Sequence, residues 1–139
     1  SVGGYQGHEM DDIEFCEKVS NLVPKKEDLG KIFIYNWVNI NKKGHKNNRH
    51  FHYNSNLYMS GVYYVKVPEN SGRIRFYDPR SAFVRDAKDT IHFHGQCQYQ
   101  YIIPQEKMLL FFPTWLEHDV EENESDEDRV SVSFNIRLE

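Results

Sequence analysis

Two histidines stand one residue apart in the stretch NRHFHYNS, Asn48 to Ser55. On a strand, successive side chains point to opposite faces, so His50 and His52 would share one face and could chelate a metal. An isolated H-x-H is more often a surface or core pair than a ligand pair. A third imidazole changes that balance. His118 follows the apolar run KMLLFFP through the short link TWLE, which places it near the end of a strand, where three imidazoles could converge. A mononuclear iron centre that activates oxygen needs three protein ligands on one side and open positions for a chelating cosubstrate and dioxygen. The last apolar run, RVSVSFNIRL, adds a possible grip for such a cosubstrate. Val130, Val132, Phe134, Ile136 and Leu138 share one face of it, and Arg129, Ser131, Ser133, Asn135 and Arg137 share the other. Core against solvent is the ordinary reading of such alternation. Arg129 nevertheless comes 11 residues after His118, across one turn, so its guanidinium and the Ser131 hydroxyl could reach the same pocket and hold a carboxylate by a two-pronged contact.

These residues need a scaffold. The chain has 139 residues, 39% hydrophobic and 14% aromatic, which suits a single domain spanning 1–139 with its own core. The segment from Met10 to Val23 carries apolar residues at Ile13, Cys16, Val19 and Val23, with Asp11 or Asp12 available as a cap, and predicts the one convincing helix. After Pro24 the pattern turns to β-rich runs: KIFIYNWVNIN, LYMSGVYYVKVP, RIRFYDP, QCQYQYIIP, KMLLFFP and RVSVSFNIRL. The expected fold is therefore mainly β, a sandwich or double-sheet jelly roll with the N-terminal helix packed outside.

Several function classes are disfavoured. Net charge is −4 and no basic patch or Arg/Lys-rich helix occurs, so nucleic acid is not the expected partner. No apolar run approaches the roughly 20 residues of a membrane span, and the first residues lack the basic and apolar regions of a secretory leader. Cys16 and Cys97 suit free thiols in a reducing cytoplasm, so a cytoplasmic location is expected. The run from Glu117 to Asp128 has eight acidic residues of twelve and reads as a solvated loop between the last two strands, or else as a guide for a basic substrate.

The motifs WVNINKKG, HFHYNS, SGVYYVKVPENSG, FYDPR, LLFFPTWLEH and DEDRVSVSFNI together resemble the 2-oxoglutarate/Fe(II) oxygenases widespread in bacteria and phages, over roughly residues 35 to 137. A more distant similarity connects VYYV and MLLFF to prolyl hydroxylases. The resemblance implies a double-stranded β-helix of the cupin-like jelly-roll kind, Fe(II), 2-oxoglutarate and O2 as cofactors, and hydroxylation of a C–H bond with release of succinate and CO2. The substrate would be a peptide, a protein or a small molecule, met in the host cytoplasm if the chain is phage-encoded. Residue by residue, the resemblance makes His50 and His118 metal ligands. Related enzymes carry Asp or Glu two residues after the first histidine, and His52 stands there; Asp78 in FYDPR is the outside alternative for the third ligand. Arg129 and Ser131 match the family's R-x-S and would hold the cosubstrate carboxylate, aided by Tyr64, while Asn39 would line the pocket. Of Tyr63 and Tyr64, one is expected merely to pack. Trp37 and Trp115 are assigned to core or pocket wall. Asp78 and Arg80 are assigned either to substrate contact or to a structural ion pair or turn. The second H-x-H, His92 to His94, has no partner at matching spacing and is read as non-catalytic.

Two other readings compete. Gly44, His50 and His52 match the opening G-x5-H-x-H of a cupin motif, although Asn56 stands in the region where its glutamate would be. A non-enzymatic β-sandwich binding module with structural metal is the other. Oligomeric state is not legible in the pattern.

Overall fold

The computed structural model describes residues 5–6, 13–24, 26–53, 56–79 and 99–139. Within these, β1 (Tyr5–Gln6) precedes helix α1 (Ile13–Leu22) and a 3-10 turn at Lys26–Asp28. Eight strands follow: β2 (Ile32–Asn41), β3 (Asn47–His50), β4 (Leu57–Lys66), β5 (Ile74–Tyr77), β6 (Tyr99–Ile102), β7 (Leu109–Pro113), β8 (His118–Val120) and β9 (Arg129–Leu138). They form two antiparallel sheets, ordered β1-β2-β9-β4-β7 and β3-β8-β5-β6. Two sheets of this order facing each other are the mainly β jelly roll expected from the sequence.

Alternation along the long strands of the first sheet divides its chemistry between two faces. On the outer face Phe134 and Ile136 of β9, both fully buried, pack with Val19 and Val23 against α1, together with Phe15, Ile32 and Ile34. The inner face meets the second sheet in another cluster, Val62, Tyr64, Ile74 and Phe112, flanked by Phe76, Leu110, Leu116 and Val120. Cross-strand partnering aligns Asn39 of β2 with Ser131 of β9, and Ser131 with Tyr64 of β4. Three side chains from three strands thus stand in one row on the inner face. The polar side of β9 is therefore not a solvent face: Arg129 and Ser131 are buried.

Departures from expectation have local causes. The helix is described from Ile13 to Leu22 rather than Met10 to Val23, and the capping candidates Asp11 and Asp12 lie outside the described residues. Strand β3 ends at His50, so Phe51 and His52 leave the sheet and strict alternation does not place the histidine pair. The acidic run is not one solvated loop. Its first part forms β8, and Glu117, Asp119 and Glu121 are taken by Arg49, Arg75 and Arg73 from β3, β5 and the residue before β5. The remainder sits where β8 returns to β9, with Asp126 on Lys43 and Glu127 on Lys66. Arg80, Cys97 and the second H-x-H, His92 and His94, lie outside the described residues. No helix among the described residues is long and apolar enough to cross a membrane.

Gly61 on β4 is directly opposite Phe134, and a Cβ there would come within 2.2 Å of the Phe134 ring and 2.6 Å of the Leu110 carbonyl oxygen. The missing side chain is the space the aromatic ring occupies. Gly61→Ala is expected to lower unfolding free energy by about 2 kcal/mol through overpacking, measured by chemical denaturation. An unchanged midpoint would mean that the sheet has slack the packing does not suggest.

Candidate functional site

Between the two sheets lies a cavity of about 230 Å³, walled by Trp37, Asn39, Tyr64, Arg129, Ser131 and Ser133 on one side and by Ile74, His118 and Val120 on the other. Three histidines converge at its open end. One ring nitrogen from each of His50, His52 and His118 lies within 4.8 Å of the others, and ring centroids are 4.4 Å apart for His50 and His118, 5.2 Å for His50 and His52, and 5.3 Å for His52 and His118. Among the described residues this is the one group of three histidines, cysteines or carboxylates close enough to share a metal ion. Asp78 is not in it.

Each histidine arrives by a different route. His50 closes β3 and His118 opens β8, where the two are cross-strand partners. His52 stands beyond the strand, its backbone N–H donating to the Thr114 carbonyl at 2.9 Å, with the Trp37 ring stacked 6.4 Å away. The Nδ1 of His50 lies 2.6 Å from the Asn48 carbonyl oxygen, and that of His118 lies 2.8 Å from the Leu116 carbonyl oxygen. A carbonyl only accepts, so each Nδ1 carries the proton and donates it there, leaving the Nε2 lone pair free for a metal. Burial holds both deeper imidazoles in the neutral form that ligation requires. It lowers the His118 pKa to about 4, against the pull of the Leu116 carbonyl, and the nearby His50 and His52 add to the lowering. His52 is lowered by burial first and by His50 second, with a side-chain hydrogen bond to Asn135 acting the other way.

At the closed end stands Arg129, 1% exposed. Its Nη1 donates to the carbonyl oxygens of Ser71 at 2.5 Å and Gly72 at 3.4 Å. Among the described residues no carboxylate pairs with it, and none lines the cavity. Burial lowers its pKa, and the adjacent Tyr64 pulls it back up. Tyr64 is itself pushed up to about 12 by burial, against the Arg129 charge, so its hydroxyl remains a donor. Ser131 is buried beside it, and Asn39 donates to the Ser133 hydroxyl at 2.8 Å. Arg129 and Ser133 are four residues apart on β9, about 13 Å along the strand. Ser133 is level with Trp37, which neighbours His52. The cavity is thus elongated, with an imidazole cluster at one end and a guanidinium at the other.

A second cleft, of about 420 Å³, shares His52 with the cavity and opens outward between Phe51, Tyr53, Tyr77, Pro79, Trp115 and Glu117. Trp37 thus walls the inner cavity and Trp115 the outer cleft. Tyr63 faces the other way and packs edge-on against Phe15 of the helix, 6.3 Å between centroids. The residues that sequence reasoning missed are the ones that hold others. Asn123, fully buried, donates to the carbonyls of Asn41 and Glu127 and accepts from the Ser125 N–H, tying down the turn before Arg129. Ser71 and Gly72 supply the carbonyls on Arg129. Gly72 has φ of +91°, and a Cβ there would meet the Glu121 carbonyl oxygen at 2.4 Å, so ENSG was a legible turn whose target was not.

A protein-family model described as "Putative 2OG-Fe(II) oxygenase" matches residues 35–135. No curated protein sequence matches significantly. Among solved structures, a Pseudomonas putida prolyl-4-hydroxylase is similar with TM-score 0.63 and 15% identity over 88% of this chain and 63% of that one. HygX from Streptomyces hygroscopicus, with iron bound, gives TM-score 0.68 and 10% identity over 97% of this chain and 72% of that one. A Bacillus subtilis oxalate decarboxylase variant gives TM-score 0.55 and 20% identity over 96% of this chain and 26% of that one. At these identities the likeness is one of fold, shared by oxygenases and cupins alike. The chain spans less than two thirds of the length of the prolyl hydroxylase.

The buried imidazoles make metal-free stability depend on pH. His118 binds its proton in the unfolded chain near the ordinary 6.5 but in the folded chain only near 4, so the unfolded state holds more protons between those values. Stability is then fully present above about pH 6.5 and is lost as pH falls toward 4. His52 adds in the same direction. Urea unfolding of metal-free protein across this window is expected to show that slope, and His118→Asn to flatten it. An unchanged slope in the variant would remove His118 as its source.

Proposed function

Because the chain belongs to the 2OG-Fe(II) oxygenase family, we propose that it is an Fe(II)- and 2-oxoglutarate-dependent dioxygenase that hydroxylates a C–H bond of a peptide, protein or small-molecule substrate. The observation that carries this reading is the cavity's charge pattern. One buried guanidinium, without a carboxylate partner among the described residues, shares the cavity with three imidazoles that have no carboxylate among them. With a divalent cation on the imidazoles, such a cavity would carry uncompensated positive charge at both ends. A dianionic oxo acid spanning it would supply one negative charge at each end.

In this mechanism His50, His52 and His118 hold the metal, their orientation set by the carbonyls of Asn48 and Leu116 on the first and last. Arg129 grips the far carboxylate of 2-oxoglutarate with the guanidinium edge that Ser71 and Gly72 do not engage, and Ser131 and Tyr64 donate hydroxyls to it. Asn39 and Ser133, hydrogen-bonded to each other, form a polar wall beside the chain of the acid. Val62, Ile74, Phe112 and Val120 exclude water along its length. Iron, when bound with 2-oxoglutarate and O2, supplies oxidative decarboxylation to succinate and CO2 and the power to attack an unactivated C–H bond. The substrate approaches His52 from the outer cleft, whose aromatic walls and single ion-paired carboxylate suit a group without negative charge. We place this activity in the cytoplasm.

The test is anaerobic addition of Fe(II) and 2-oxoglutarate with recording of the visible charge-transfer band. Wild type is expected to show the band, His118→Ala to lose it, and Arg129→Ala to bind 2-oxoglutarate roughly 10- to 100-fold more weakly, as loss of a charge-assisted contact implies. Folded, iron-loaded protein without a band would sink the oxygenase reading in favour of a metal protein that does not use 2-oxoglutarate.

A further inference from the structure

We propose that Arg49 and Glu117, which lie outside the cavity, act as a positioning pair that sets the spacing of His50 and His118 and so the centre's affinity for a divalent metal. The inference rests on the metal-centre reading above. Arg49 immediately precedes His50 and Glu117 immediately precedes His118, and the two histidines are cross-strand partners. Alternation turns the histidines inward and their neighbours outward. On the outside, Arg49 Nε donates to Glu117 Oε2 at 2.9 Å and Nη2 donates to the same oxygen. The ion pair thus runs diagonally across the His50–His118 pairing, from the residue before one histidine to the residue before the other.

That diagonal contact is needed because the strand is weak. β3 has four residues, pairs only with β8 among the described strands, and changes register between Asn47 and His50. Backbone pairing alone therefore leaves the His50 end loosely specified. The outer surface compensates. The Arg49 guanidinium stacks over the Tyr77 ring at 3.8 Å, and the Tyr77 hydroxyl donates to Asp119 at 2.6 Å. Asp119 in turn takes the fork of Arg75 at 2.7 and 2.6 Å. Both residues flanking His118 are held, one from β3 and one from β5, but only the Arg49 contact joins the two ligand-bearing strands.

A charge effect is the rival explanation, and it differs in sign. If Glu117 merely attracted the cation through its charge, neutralising Glu117 would weaken metal binding and neutralising Arg49 would strengthen it. A positioning pair weakens binding whichever member is lost. The experiment is Co(II) titration of the metal-free full chain, followed by visible absorption with chelator competition, for wild type, Arg49→Gln, Glu117→Gln, the double variant and the reversed pair Arg49→Glu with Glu117→Arg. Each single variant is expected to bind Co(II) about 10-fold or more weakly, the range seen for groups that orient metal ligands. The double variant should lose little beyond either single one, and the reversed pair should recover most of the affinity. The thermal midpoint of metal-free protein should barely move, since an exposed ion pair adds little to global stability. Wild-type affinity in the variants, or opposite signs for the two neutralisations, overturns the positioning role and leaves the metal centre standing. Absence of Co(II) binding by wild type overturns both.

Discussion

A guanidinium buried at the closed end of a β-sandwich, with no carboxylate among the described residues to answer it, is the constraint on which the rest of this structure depends. Removing such a charge from water costs several kcal/mol unless its hydrogen bonds and charge are met. The protein meets it partially. The Ser71 and Gly72 carbonyls accept from one edge of Arg129, and that loop can approach so closely because Gly72 has no side chain to strike Glu121. Asn123 braces the turn leading into Arg129 from the other side. Among the described residues, what is not met is the charge itself.

The two faces of the first sheet explain how a short chain carries such a site. β9 devotes Phe134 and Ile136 to the helix-covered face and Arg129, Ser131 and Ser133 to the cavity, with its neighbours β2 and β4 repeating the division. Hydrophobic stabilisation comes from two clusters, one under the helix and one between the sheets beside the cavity, so part of the inner face can hold polar groups without emptying the core. The helix matters to function for this reason, though it contributes nothing to the cavity: it covers the apolar face that the polar face requires.

The fold was legible where periodicity was strong. The β-rich runs became strands, and the helix lies within its expected span. Short elements were not: β8 is three residues of His-Asp-Val inside a run so acidic that it reads as loop, and only the arginines of β3 and β5 and Arg73 just before β5, distant in sequence, make it a strand. Likewise, nothing local distinguishes Arg129 facing a cavity from an arginine facing water; its burial is decided by the second sheet, which lies across it. The histidine cluster was anticipated for a reason that is only half correct. His50 and His52 do meet, but His52 has left the strand and is brought in by the Thr114 carbonyl rather than by alternation.

The lack of a carboxylate among the three imidazoles has a consequence for the order of events at the proposed centre. A ligand set with one carboxylate would cancel part of a divalent metal's charge before any cosubstrate arrived. With three imidazoles alone, a bound divalent metal would keep its full charge, as Arg129 would at the other end of the cavity, and a dianion would be attracted from both ends at once. The attraction is mutual: whatever free energy the metal adds to binding of the dianion, the dianion adds to binding of the metal. Three neutral nitrogens alone discriminate little in favour of Fe(II) over later divalent ions, which imidazole binds more tightly. Under this reading, selectivity for the working metal is shared between the protein and the acid that chelates it, and the buried Arg129, far from the metal, contributes to both.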